Sequence, residues 1–146
     1  MANRYATLQL TVDTGTGSGY TTGTAVGGFG PYDYFMLDAD LTNTDTGVVD
    51  VWLQRASIYG GTTTWRDWMR FPQQAASAGI KHYTATPQPA NAINAVGING
   101  APALAANTTV GGHPGYQLRA VAYQAGAGPY LAQTQTVTVF CWQGRD

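Results

Sequence analysis

Charge is what this sequence has least of. Charged residues fill 10% of its 146 positions, well under the usual quarter or so. Glutamate is absent, and Lys81 is the only lysine. Two good helix formers are therefore missing or nearly so, while the many threonines suit a pleated strand. The net charge of -1 provides no basic stripe for a phosphate backbone, and Arg66 with Arg70 do not make a patch, so no nucleic acid is expected as a partner. A surface this poor in charge is prone to associate. That suits a protein that works packed against others.

Cysteine is nearly absent too. Cys141 stands alone, which excludes an internal disulfide. The opening residues, Met1-Ala2-Asn3-Arg4-Tyr5, contain no apolar stretch of signal-peptide length, and no run approaches a membrane span, so no membrane partner is expected. The sequon Asn107-Thr108-Thr109 reads as incidental without a secretion signal. The length and the 44% hydrophobic content fit one domain, residues 1–146, that buries its own core without metal or disulfide.

What is present is period-2 alternation. Leu8, Leu10 and Val12 share one face of a run from Thr7 to Asp13. Phe35, Leu37, Ala39 and Leu41 repeat the pattern with Asp38 and Asp40 opposite. Val49, Val51 and Leu53 follow, then Val137, Val139 and Cys141 near the end. Each predicts a half-buried strand. Trp65 to Phe71, Ile80 to Ala85, Ala92 to Ile98 and Tyr116 to Tyr123 are further candidates. The count of about eight antiparallel strands predicts an all-β single-domain sandwich. Turn residues at Thr44 to Gly47, Tyr59 to Thr62 and Gly126 to Pro129 separate the runs. Gly15 to Pro31 and Pro87 to Gly115 read as two long loops. Gln73 to Ala78 has room for a single helical turn. Trp52 and Trp142 fall opposite the Val/Leu faces, which predicts a second buried face under a loop or a neighbouring subunit.

The motifs that resemble chemistry have structural readings beside them. Asp13-Thr14-Gly15 and Asp45-Thr46-Gly47 match the tripeptide of aspartic proteases, which share one proton between two carboxylates. The two copies are too close for the lobes of a pepsin-like enzyme, and the flap-like Val26 to Gly30 follows the first too soon. As turns, each Asp would bond its own backbone and each Gly would take positive φ. The run Gly15-Thr16-Gly17-Ser18-Gly19 lacks the Lys of a phosphate loop. His82 and His113 have neither zinc spacing nor a nucleophile elbow nearby. Asp38, Asp40, Asp45 and Asp50 are oxygen ligands without the spacing of a calcium loop. No catalytic residue, metal site or cofactor is expected, and the predicted role is non-enzymatic. Four Trp and nine Tyr leave open a sugar-binding face, as rings on a sandwich stack on pyranoses.

One stretch carries a family resemblance. Val49-Asp50-Val51-Trp52-Leu53-Gln54, then Gly60-Gly61-Thr62-Thr63-Thr64-Trp65-Arg66-Asp67-Trp68, then Phe71-Pro72-Gln73, resembles a strand, turn and strand of small virion proteins of tailed phages. Gly115 to Ala122 resembles a later strand of the same proteins. Gly60-Gly61 replaces the usual Asp-Gly and keeps the turn. The resemblance implies a jelly-roll-like sandwich and, by size, a capsid cement or decoration protein. Such a protein would be made in the host cytoplasm and sit on the capsid exterior as a homotrimer, clamping the major capsid protein. The arm at residues 1–5 and the Gly15 to Pro31 loop are its candidate grips, with Arg4, Tyr5, Tyr20, Phe29, Tyr32 and Tyr34 as contact residues. The same aromatics also suit closing one end of the sandwich. A receptor- or carbohydrate-binding module of a phage tail or fibre is the alternative, and a dimeric aspartic protease a remote one.

Overall fold

The computed structural model describes residues 4–87, 108–109, 113–126 and 128–144. The first sheet contains β1 (Tyr5–Asp13), β4 (Tyr34–Asn43), β7 (Gly79–Ala85) and β10 (Thr134–Trp142) in the order β1-β10-β4-β7. The second contains β2 (Gly19–Thr22), β5 (Val48–Tyr59), β6 (Thr62–Arg70), β8 (Thr108–Thr109) and β9 (Gln117–Ala125) in the order β2-β9-β5-β6-β8. A short β3 (Val26–Gly27) also pairs with β9. Every pairing is antiparallel. Without the two-residue strands β3 and β8, the sheets interleave the chain as two packed four-strand layers. That order is a jelly roll, the sandwich in which two Greek keys fold over one core.

The alternation read from the sequence builds this core. Leu10 and Val12 of β1, Leu37 and Leu41 of β4, and Val137 and Val139 of β10 turn inward. They meet Val51 and Leu53 of β5 and Leu118 and Ala120 of β9. Between Tyr59 and Thr62, Gly60 and Gly61 have φ of 58° and 79°, the pair of positive values that a two-residue hairpin requires. On β6 the register shifts opposite Leu53 and Gln54. This bulge falls at Trp68, and both Trp68 and Met69 turn into the core.

Two expectations change. Gly15 to Pro31 is not one loop, since β2 and β3 form within it. Tyr20-Thr21-Thr22 are good strand residues and find open positions on β9, which overrides the surrounding glycines. Gln73 to Ala78 forms no helical turn, because the Gln74 backbone bridges to Val49 in both directions, at 2.8 and 3.0 Å. The strand expected over Ala92 to Ile98 lies outside the described residues, as does most of the Pro87 to Gly115 loop.

Candidate binding surface

The outer face of the first sheet is set by the same period of two. Residues of β1, β10 and β4 that do not enter the core align in rows across the strands. Tyr5, Trp142 and Tyr34 form one row, and Thr7, Phe140 and Met36 the next. The rings of Tyr34 and Trp142 stack with centroids 5.8 Å apart and planes 14° apart. Tyr5 is 70% exposed and Tyr34 53%, with Trp142, Phe140 and Met36 half-buried beside them. The face turns polar further along. There Thr84 donates to Asp38 at 2.9 Å, and His82 pairs with Asp40 across β7 and β4. Ile58, Tyr59 and Tyr116 are also exposed. They sit where β5 ends and β9 begins, at the same end of the sandwich as the aromatic row.

The outer face of the second sheet is covered by its own side chains. Trp52 of β5 is 1% exposed. Tyr20 meets it edge-on at 5.9 Å and stacks on Tyr123 at 4.4 Å. Arg70 pairs with Asp50 at 2.7 Å, and Gln73 donates to the same carboxylate at 2.8 Å. Gln54 donates to Asp67 at 2.9 Å and accepts from Arg119 at 2.9 Å, and the Arg119 guanidinium lies 4.4 Å from the centre of the Trp65 ring. Burial pushes the Tyr20 hydroxyl up, with smaller contributions from Tyr123 and Asp50, and lowers the Arg119 guanidinium.

The contact residues read from the sequence therefore divide. Tyr5 and Tyr34 lie in the aromatic row of the first sheet, with the exposed Arg4 next to it. Tyr20 lies on the opposite sheet. Phe29 is a correction: it is 0% exposed and packs edge-on against Phe35 in the core. Its loop folds back beside β9 through β3 and carries the ring inside. Tyr32 is partly buried against the same core. Sequence reasoning missed Tyr59, which is 91% exposed, and Met36 and Phe140. Their signal was present as outward positions on alternating strands. The pairing of Trp142 with Tyr34 was not, since it depends on which strands are neighbours.

The two Asp-Thr-Gly copies do separate work. Asp13 is exposed and accepts from Thr134 at 2.6 Å. Asp45 is 4% exposed. It accepts from the Leu131 backbone at 2.8 Å and from the Gln133 side chain at 3.0 Å. Neither Gly15 nor Gly47 takes positive φ. Gly47 is needed for another reason: a side chain there would run into the Ala125 carbonyl and the Tyr130 ring. The Asp45 carboxylate bonds across to a distant loop while its backbone N–H donates to the Asn43 side chain at 3.1 Å, so the carboxylate serves long-range closure. The four oxygen ligands considered for calcium are also dispersed. Asp38 and Asp40 lie on the first sheet, Asp45 in the loop end and Asp50 on the second sheet. Among the described residues no three His, Cys, Asp or Glu side chains are grouped to hold a metal ion. No described helix is long and apolar enough to cross a membrane. A cleft of about 200 Å³ opens between the ends of β6 and β7, lined by Met69, Arg70, Phe71, Tyr83 and Thr84.

These features define a jelly-roll sandwich with one self-covered face and one face ending in an exposed aromatic row. Comparison of the chain with family models, curated proteins and solved structures finds no match.

Proposed function

We propose that this chain is a non-enzymatic virion structural protein, a capsid cement that binds the major capsid protein shell as an oligomer and stabilises it. The observation that carries this reading is the aromatic row Tyr5, Trp142 and Tyr34 on the outer face of the first sheet. It joins exposed rings to a rigid sheet, the combination that gives anchors at low conformational cost. The exposed Arg4 adjoins the row, which places a cation beside the platform. The phage-like strand-turn-strand falls on β5 and β6, the hairpin that projects at the same end. A particle held this way is stabilised by mass action, without chemistry.

The test uses particles with and without the protein. Bound protein is expected to raise the particles' thermal transition and their resistance to chelation. Tyr5→Ser combined with Tyr34→Ser is expected to lower occupancy at unchanged fold. Equal thermal transitions with and without the protein would overturn the reading.

The same row supports a second reading, a carbohydrate-binding module, because sugar rings stack on exposed aromatic side chains. Glycan binding that is lost in Trp142→Ala, with no binding to particles, would select it. A glycan array without a hit would remove it.

A further inference from the structure

The hairpin of β5 and β6 runs on past the cover of the opposite sheet, and residues 57–63 are all exposed. One of its faces continues the core beyond Leu53 and Leu118. That face carries Arg55, Ser57 and Tyr59 on β5, directly opposite Arg66, Thr64 and Thr62 on β6. Arg55 and Arg66 are therefore cross-strand neighbours. Like charges so placed repel, and the chain has only seven Lys and Arg in all.

No acid of the chain lies between or beside this pair among the described residues. The described ion pairs are Arg70 with Asp50 and His82 with Asp40. At this end of the sandwich Asp67 turns to the other face of the hairpin, where it accepts from Gln54 at 2.9 Å, and Asp33 accepts from the Gly144 N–H at 3.0 Å. The connection that follows β7 cannot supply one either, because the sequence contains no acid between Asp67 and Asp146. Arg55 is held instead by a neutral group, the His113 carbonyl, at 3.2 Å. His113 is itself fixed: its ring lies edge-on to Phe35, and its Nδ1 accepts from the Gly115 N–H at 2.9 Å. One N–H of Arg55 is used in this way, which leaves the rest of its donors facing outward beside those of Arg66.

We propose that this face of the hairpin binds an extended acidic segment of a partner protein, whose carboxylates lie on Arg55 and Arg66. An acid there removes the repulsion between the two guanidinium groups, and each fork matches a carboxylate in shape. The remainder of the face is neutral: the hydroxyls of Ser57, Thr62 and Thr64, and the Tyr59 ring, which is 91% exposed. That suits a segment with acids at one or two positions. A nucleic acid brings a charge at every step and needs a basic stripe, which this face lacks. The inference does not depend on the capsid reading: a chain that binds acidic peptide and ignores particles overturns that reading alone.

The test is a titration followed through the arginine side-chain resonances in a heteronuclear spectrum of the whole chain. The probe is a capped peptide, Thr-Glu-Thr-Glu-Thr, with Thr-Gln-Thr-Gln-Thr as control. The glutamate peptide is expected to shift the Arg55 and Arg66 signals and the glutamine peptide to leave them in place. Arg66→Gln is expected to weaken binding about tenfold at unchanged far-ultraviolet dichroism. Arg66→Glu is expected to abolish binding and, by placing opposite charges face to face, to raise the thermal midpoint of the free chain. No shift with the glutamate peptide, an equal shift with the glutamine peptide, or a larger response to inorganic phosphate would overturn the proposal. So would a lower midpoint in Arg66→Glu, since repulsion within the pair is its premise. Peptide binding that appears only in Asp146→Asn would show the chain's own acid on the pair, and a mass in solution that falls in Arg66→Gln would show a second copy there; either outcome would overturn it too.

Discussion

The buried carboxylate of Asp45 accepts the side-chain amide of Gln133 across 88 positions of sequence, at 3.0 Å. The same amide group's oxygen accepts from the backbone and hydroxyl of Thr44, at 2.7 and 2.9 Å. Thr14 and Gln133 also exchange backbone and hydroxyl bonds. Three connections of the jelly roll are locked together at one end by this small set of polar groups. Their burial makes each bond costly to break, because a partner left behind has no water to turn to.

Asp45→Ala should therefore destabilise the fold by about 2–4 kcal/mol, since it strands the Leu131 N–H and the Gln133 amide. Asp13→Ala, in the matching tripeptide on the surface, should stay within about 0.5 kcal/mol. Urea denaturation of the two variants checks the contrast. Equal losses would mean that the two motifs do the same work.

The Asp50–Arg70 pair is the described ion pair with both side chains mostly buried, 5% and 17% exposed. Removing the cation by Arg70→Met should cost about 2–4 kcal/mol, as it leaves Asp50 with the neutral Gln73 amide among its described side-chain partners. Asp50→Asn in the same background should recover part of the loss. A double-mutant cycle by denaturant titration measures that coupling.

Tyr20 covers Trp52 on the outer face of the second sheet. Tyr20→Ala should uncover the indole and shift tryptophan emission to longer wavelength. The loss of stability should be about 1–3 kcal/mol from area and ring contact together. Fluorescence in the native state, followed by thermal melting, reads both effects.

Cys141 is 1% exposed, and burial pushes its thiol from an ordinary 9.0 up to about 11. The folded chain should react with a thiol reagent at pH 8 only after denaturant is added. The raised value also sets a sign. Folding favours the neutral thiol, so its contribution is complete below pH 9.0 and is lost as pH rises through about 11. Cys141→Ala should flatten that alkaline decline in a series of melts.

Much of this architecture was legible in the chain. Leu8, Leu10 and Val12, or Val137, Val139 and Cys141, announce their face through a period fixed by strand geometry, which is a local property. The same holds for Gly60-Gly61, whose turn needs only the residues beside it. Trp52 and Trp142 show where this legibility stops. Both lie opposite a core face, yet Trp52 is buried under Tyr20 while Trp142 stays in a half-exposed row with Tyr34. Nothing near either residue in sequence distinguishes them. Phe29 is similar: an aromatic in a glycine-rich stretch, read as a contact residue, goes to the core because β3 docks beside β9. The sequence by itself determined the strands, their inward faces and the lack of charge. The tertiary structure alone decided which sheet each strand joined and which outward rings were covered, because those outcomes depend on pairings between residues far apart in the chain.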